Sequence, residues 1–221
     1  RASYINALNN LDYVTREQLL NGRWDVSITG GIFKTDPITI PYKAVISEPE
    51  LRDNGYKVYG AVDPSEGGKD FASIATIIQL DDGRWLVYGC DMSVDIQSAT
   101  IDKIIDFHTR YNYQKIWIEA NSLGHAKSAP GESLFESELK KRQAERGVRV
   151  PYEFIWNTQK KSDRIRAMEP YYTNGQLIFF EDYENRYPVL VNQIKTFPNN
   201  MHDDGPDALS MAISGVISLL K

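Results

Sequence analysis

The chain has 221 residues, 42% hydrophobic and 25% charged, with a formal net charge of −5. That length suits one large domain, or one domain with an appendage, and buries a real core; the composition is that of an ordinary globular protein. No apolar run approaches the roughly 18–20 residues of a membrane span, the single cysteine, Cys90, excludes an internal disulfide and fits a reducing cytosol, and no Cys/His cluster reads as a zinc site.

Residues 1–54 read as an N-terminal arm or linker. Within it, "TREQLLNG" predicts a short helix with Thr15 as N-cap, Gln18 three residues on and Gly22 as a stop. "TDPITIPYK" carries two prolines and reads as an extended connector. Residues 55–221 read as one domain. "YKVYGAVDP", "FASIATIIQL" and "WLVYGCDMSV" are three strands, with "DDGR" a hairpin turn between the last two. "SATIDKIIDFHTRY" places Ile101, Ile104, Ile105 and His108 at helical spacing. Then come strand "KIWIEA", helix "GESLFESELKKRQAERG" ended by Gly147, strand "YEFIW", helix "KSDRIRAMEPYYTNG" closed by Gly175, strand "QLIFF", helix "YPVLVNQIKTF" and helix "PDALSMAISGVISLL". A meander followed by alternating helices and strands predicts an α/β domain: a mixed central sheet, antiparallel at first and continued by parallel strands, with helices on both faces.

Three acids stand out. Asp63 closes the first strand of the meander on the face of Tyr59 and Ala61, and Glu119 nearly closes the fourth strand on the face of Trp117. An acid at the end of an apolar strand is costly to bury unless it is paired or metal-bound. Each alone also reads as an exposed strand end. The third falls in "MHDDGPDALSMAI". Pro206 suits the first turn of a helix, so Asp203 or Asp204 can cap it and Asp207 falls in that turn, where the dipole favours acids by about 0.3–1 kcal/mol each. On the wheel, Leu209, Ala212, Ile213, Val216 and Leu220 share one face, opposite Asp207, Met211, Ser214 and Ser218. If the three acids meet, Asp63, Glu119 and Asp207 supply hard oxygen ligands suited to Mg²⁺ or Mn²⁺. Two such ions about 4 Å apart activate a water and stabilise the leaving oxygen of a phosphodiester.

Charge is unevenly spread. Between Lys140 and Arg166 nine basic residues stand against three acids, Glu145, Glu153 and Asp163. A solvated helix face and a nucleic-acid-binding segment both fit such a run.

"GAVDPSEGGKDF", "IWIEAN" and "MHDDGPDALSMA", in that order and spacing, resemble the C-terminal nuclease domain of the large terminase subunit of tailed bacteriophages. That family has an RNase H-like fold, shared more distantly with Holliday-junction resolvases and integrases. The resemblance covers about residues 55–217, and "TREQLLNGRWDV…GGIF" looks like the segment joining the family's motor to its nuclease. It implies Asp63, Glu119 and Asp207 as the catalytic metal ligands. Asp70 matches an additional acid seen in some members. Asp203 and Asp204 fall where neighbouring acids or a histidine often occur, so Asp204 either helps hold a second ion or only caps. "KKSDRIRAMEPYYTNGQLIF" also matches a family pattern, which implies Lys160, Lys161 and Arg164 as contacts to the DNA backbone; such contacts position DNA without reading its sequence.

The implied activity is a Mg²⁺- or Mn²⁺-dependent endonuclease with two divalent ions. It would cut double-stranded DNA concatemers during genome packaging in the host cytoplasm, with little sequence preference. Implied partners are double-stranded DNA, the terminase motor (ATPase) domain, the small terminase subunit and the portal protein, with no membrane. The motor's G-x-x-x-x-G-K-S/T phosphate loop is absent, since "GGKD" lacks its spacing and hydroxyl. No ATPase activity is therefore expected, and with Arg1 first and no signal peptide the chain reads as a piece of a longer protein. The loop "NSLGHAKSAPGE" departs from the family, and its His125 and Lys127 read as phosphate contacts or as plain surface. Two alternatives stand beside this reading: a junction resolvase or recombinase on the same fold, and a non-catalytic module docking DNA or a portal ring.

Overall fold

Alternation of β-branched and aromatic residues builds the strands, and i, i+3, i+4 apolar spacing builds the helices. A computed structural model describes residues 8, 11, 13–22, 31–41, 46–65, 71–94, 96–121, 123, 133–199 and 202–221. In chain order the elements are α1 (Tyr13–Asn21), β1 (Ile38–Ile40), α2 (Glu48–Asp53), β2 (Lys57–Asp63), β3 (Ala72–Gln79), β4 (Trp85–Ser93), α3 (Gln97–Tyr111), β5 (Lys115–Glu119), α4 (Leu134–Arg146), β6 (Tyr152–Ile155), α5 (Lys161–Thr173), β7 (Leu177–Phe180), α6 (Tyr183–Arg186), α7 (Pro188–Thr196) and α8 (Asp204–Leu219).

The strands form one sheet in the order β1-β7-β4-β3-β2-β5-β6. β2, β3 and β4 are the antiparallel meander. Parallel strands extend it on both sides: β5 and β6 beyond β2, β7 and β1 beyond β4. The β3–β4 turn closes with Leu80 N–H on the Arg84 carbonyl and Gly83 N–H on the Leu80 carbonyl. Gly83 sits there at φ +85°, a conformation that costs glycine little.

Period-two alternation divides the sheet residues between two cores. Tyr59, Ala61, Ala75, Ile77, Val87, Trp117, Leu177 and Phe179 face one side, where α5, α7 and α8 pack with Ile165, Met168, Leu190, Ile194, Leu209 and Ile213. Val58, Val62, Ile74, Ile78, Ile116, Ile118 and Ile178 face the other, against Leu51 of α2, Ile101, Ile104 and Ile105 of α3, and Phe135 and Leu139 of α4. The result is the expected mixed sheet with helices on both faces.

Three details differ from the sequence reading. Thr15 does not cap α1; it lies inside a helix that begins at Tyr13, although Gly22 at φ +66° does follow its end. The "TDPITIPYK" connector contains β1, which pairs in parallel with β7 at the sheet edge. Pro37 and Pro41 flank it, and proline is tolerated at edges because no ladder N–H is lost there. The last helix is not apolar on one face only. Asp207, Ser210 and Met211 are buried with Leu209, Ala212 and Ile213, because α5 covers that side, while Leu220 is exposed beyond its end.

Candidate metal centre

The site forms where β2 and β5 end side by side. Ala61 pairs with Trp117 and Val62 with Ile118, so one residue later Asp63 and Glu119 are neighbours. Alternation turns both to the face covered by α8. That helix is pressed close to the sheet: a Cβ on Gly215 would come 2.4 Å from the Trp117 ring, so only glycine permits the approach. The first turn of α8 then delivers Asp207. Asp63, Glu119 and Asp207 are 7%, 8% and 0% exposed, and one oxygen from each lies within 4.8 Å of the others.

The start of α8 answers the capping question. Asp203 occupies the N-cap position, but no side chain of its own caps the helix. Gln193 of α7, 2% exposed, reaches across, and its Oε1 accepts from Gly205 N–H at 3.0 Å. Asp203 and Asp204 are thereby free to face another group, which is Lys161.

α5 brings two cations to the acids. Lys161 and Arg164, three residues apart, lie on one face of α5 as Asp204 and Asp207 do on α8. Lys161 Nζ is 2.7 Å from Asp204 Oδ1, 3.0 Å from Asp63 Oδ2, 3.2 Å from Asp203 Oδ1 and 3.9 Å from Asp207 Oδ2. Arg164 clamps Asp207 with two bonds, Nε to Oδ1 at 3.0 Å and an Nη to Oδ2 at 2.5 Å. The same Nη reaches Glu119 Oε1 at 3.3 Å. A second residue with no signal in the sequence, Asn157, donates to that Oε1 at 2.7 Å. Asn157 is itself held by Asn121, which accepts from its backbone N–H at 3.0 Å and donates to its carbonyl at 2.8 Å.

These groups shift one another's protonation. Burial pushes the Asp63 carboxyl well above the ordinary carboxylate range; Lys161 opposes this and the charges of Glu119 and Asp207 add to it. Burial also raises Asp207, against the hydrogen bond and charge of Arg164. Burial pulls Lys161 down, but the charge of Asp63 and the hydrogen bond to Asp204 outweigh it, and the ammonium is held above the usual lysine range. Both groups move upward, with opposite consequences: several acids crowding round one ammonium favour the charge on Lys161, whereas burial disfavours the charge on Asp63.

The donor set fits a divalent ion. It consists of hard carboxylate oxygens, and among the described residues Asp204 Oδ2 is buried without a hydrogen-bond partner, which suits an oxygen meant for a cation. Of the remaining expected residues, Lys160 is exposed at the N-cap of α5, while Asp70, His125 and Lys127 lie outside the described residues. The basic run does not act as one patch. Lys140, Lys141, Arg142 and Arg146 of α4 pair with Glu136, Glu138, Asp102 and Asp106 on α4 and α3. A broad cleft of about 1110 Å³, bordered by Asn112, Lys140 and Pro151, lies at the opposite end of β5 and β6 from the acids.

A family model described as the terminase RNaseH-like domain matches residues 60–215. No curated protein sequence matches the chain significantly. Among solved structures, the large terminase nuclease of thermophilic phage G20c superposes with a TM-score of 0.58 at 11% identity, covering 84% of this chain and 98% of that one. Its magnesium-bound form gives 0.55 at 11% identity, covering 85% and 98%. The manganese-soaked, inhibitor-bound human cytomegalovirus terminase nuclease domain gives 0.51 at 13% identity, covering 82% and 90%. The HK97 bacteriophage large terminase gives 0.51 at 13% identity, covering 83% of this chain but only 41% of that one. The likenesses are structural, and the family match spans the strands and helices that carry all three acids: the chain belongs to the terminase RNaseH-like domain family.

Proposed function

We propose that this chain is a metal-dependent endonuclease that cuts double-stranded DNA concatemers during viral genome packaging. The observation that carries this reading is the convergence of Asp63, Glu119 and Asp207, three buried carboxylates with ligand oxygens within 4.8 Å of one another, in a member of the terminase RNaseH-like family. Two Mg²⁺ or Mn²⁺ ions held there would activate a water and stabilise the leaving oxygen of a phosphodiester. Asp63, Glu119 and Asp207 are the proposed ligands, with Asp204 or Asp70 helping to hold the second ion.

The chain's own residues prepare the site. The sheet fixes Asp63 and Glu119 at strand ends, where they cannot swing apart. Asn157 and Arg164 both engage Glu119 Oε1, which orients that carboxylate. The two bonds from Arg164 lock Asp207. Lys160, exposed next to Lys161 in sequence, would meet a backbone phosphate, with Lys161 and Arg164 as further contacts once a phosphate is near. Among the described residues no helix is long and apolar enough to cross a membrane. The proposed setting is the packaging machinery in the host cytoplasm, with a separate ATPase motor domain, the small terminase subunit and the portal protein as partners.

The test is nicking and linearisation of supercoiled plasmid with Mn²⁺ or Mg²⁺. Cutting is expected in wild type, to stop with EDTA, and to be lost in Asp63→Asn and Asp207→Asn. Undiminished cutting in either variant would sink the assignment. A strong preference for a four-way junction over linear duplex would favour the resolvase reading, and no cutting with no Mn²⁺ binding would favour a docking module.

A further inference from the structure

Resting on the metal-nuclease reading, we propose that Lys161 is a tethered counter-cation whose ammonium holds the Asp63–Asp204 side of the centre until a divalent ion displaces it. Among the described residues, five carboxylates, Asp63, Glu119, Asp203, Asp204 and Asp207, face two side-chain cations, Lys161 and Arg164. The two cations are held differently. Arg164 is a planar fork fixed by two bonds to Asp207, one to Glu119 and one, at 2.9 Å, to the Gln159 carbonyl. Lys161 is a point charge on a flexible stem. It touches four acids, and its side chain is 32% exposed against 13% for Arg164. It therefore has room to leave, and Arg164 does not.

Lys161 also uses the oxygens that an ion on that side would need. It takes Asp63 Oδ2 and Asp204 Oδ1 and leaves Asp204 Oδ2 buried with no hydrogen-bond partner among the described residues. One positive charge cannot serve all of these lone pairs, whereas a dication coordinating several oxygens can. Once displaced, the ammonium stays tethered at the N-terminus of α5, free to meet an incoming phosphodiester oxygen. DNA that draws Lys161 away must then strengthen binding of the ion, and the ion must strengthen binding of DNA, because such coupling is reciprocal.

The experiment is calorimetric titration of the DNA-free chain with Mn²⁺, for wild type, Lys161→Met, Lys161→Arg and Asp63→Asn, with a thermal melt of each in EDTA. Lys161→Met should bind Mn²⁺ at least about tenfold more tightly than wild type while melting lower in EDTA, and Lys161→Arg should stay close to wild type. A purely structural role predicts the lower melt together with weaker metal binding, so Mn²⁺ affinity in Lys161→Met that is unchanged or reduced overturns the proposal. If Lys161→Met does not fold in EDTA, refolding in Mn²⁺ should rescue it, and failure of that rescue counts against the proposal equally. Asp63→Asn separates the two readings. Loss of Mn²⁺ binding there, with none of the expected gain in Lys161→Met, removes the counter-cation alone; wild-type binding in Asp63→Asn removes the metal centre itself.

Discussion

Two groups of ion pairs, built from one stretch of basic residues, behave as opposites. On α4, Arg142 and Arg146 meet Asp102 and Asp106 across an open face, with side chains 20–60% exposed. On α5, Arg164 meets Asp207 where the side chains are 13% and 0% exposed. The residue types are the same and the distances similar. Solvent makes the difference: exposed pairs are screened and contribute about 0–1 kcal/mol, whereas a buried charge that loses its partner is left without water to replace it. The α4 pairs decorate a surface; the α5 pairs hold a cluster of acids together that would otherwise repel.

Truncation is the hardest strain on that contrast. Arg164→Ala should destabilise the metal-free protein by about 3 kcal/mol or more, because it strands Asp207. Saturating Mn²⁺ should recover part of the loss by binding the folded state. Urea unfolding with EDTA and with Mn²⁺ measures both. A loss below about 1 kcal/mol would place this pair with the surface ones.

Protonation gives a smaller, directional effect. A carboxyl whose folded-state pKa lies above its unfolded value, about 3.9 for aspartate, binds its proton more tightly when folded. It adds stability while it keeps that proton, and the contribution is lost as pH rises through the folded-state value. Burial puts Asp63 in this class. In EDTA, Asp63→Asn should therefore gain on wild type in melting temperature as pH rises from about 4 towards neutrality. A difference that stays flat or shrinks over that range would mean that Asp63 is not held in a site that resists its charge.

The smallest effect belongs to the surface. Arg146→Ala should change stability by less than about 1 kcal/mol, and that little should fade as salt is raised. An effect comparable to Arg164→Ala would erase the distinction between the two regions.

Much of the fold was legible because its signals are local. Alternation in "YKVYGAVDP" and "KIWIEA" identified β2 and β5 and the faces of Asp63 and Glu119. β1 was not legible, since three residues between prolines carry too little pattern. For the site, the acids could be named but not brought together. Their meeting depends on the β2–β5 register and on Gly215 letting α8 close on Trp117, both long-range facts. Lys161 and Arg164 were visible as cations, but a sequence says nothing about which way a basic helix face turns. The matched i, i+3 spacing of Lys161/Arg164 and Asp204/Asp207 was the available clue. Asn157 and Gln193 carried no signal, because a lone amide joins no motif and acquires its role only from what the fold sets beside it.

The proposed function turns on the three acids acting as one metal centre. The most direct measurement is anomalous diffraction from a crystal of this chain soaked in Mn²⁺. A manganese peak coordinated jointly by Asp63, Glu119 and Asp207 is expected. Manganese bound elsewhere, or a saturating soak that leaves these three carboxylates paired only with Lys161 and Arg164, would contradict it.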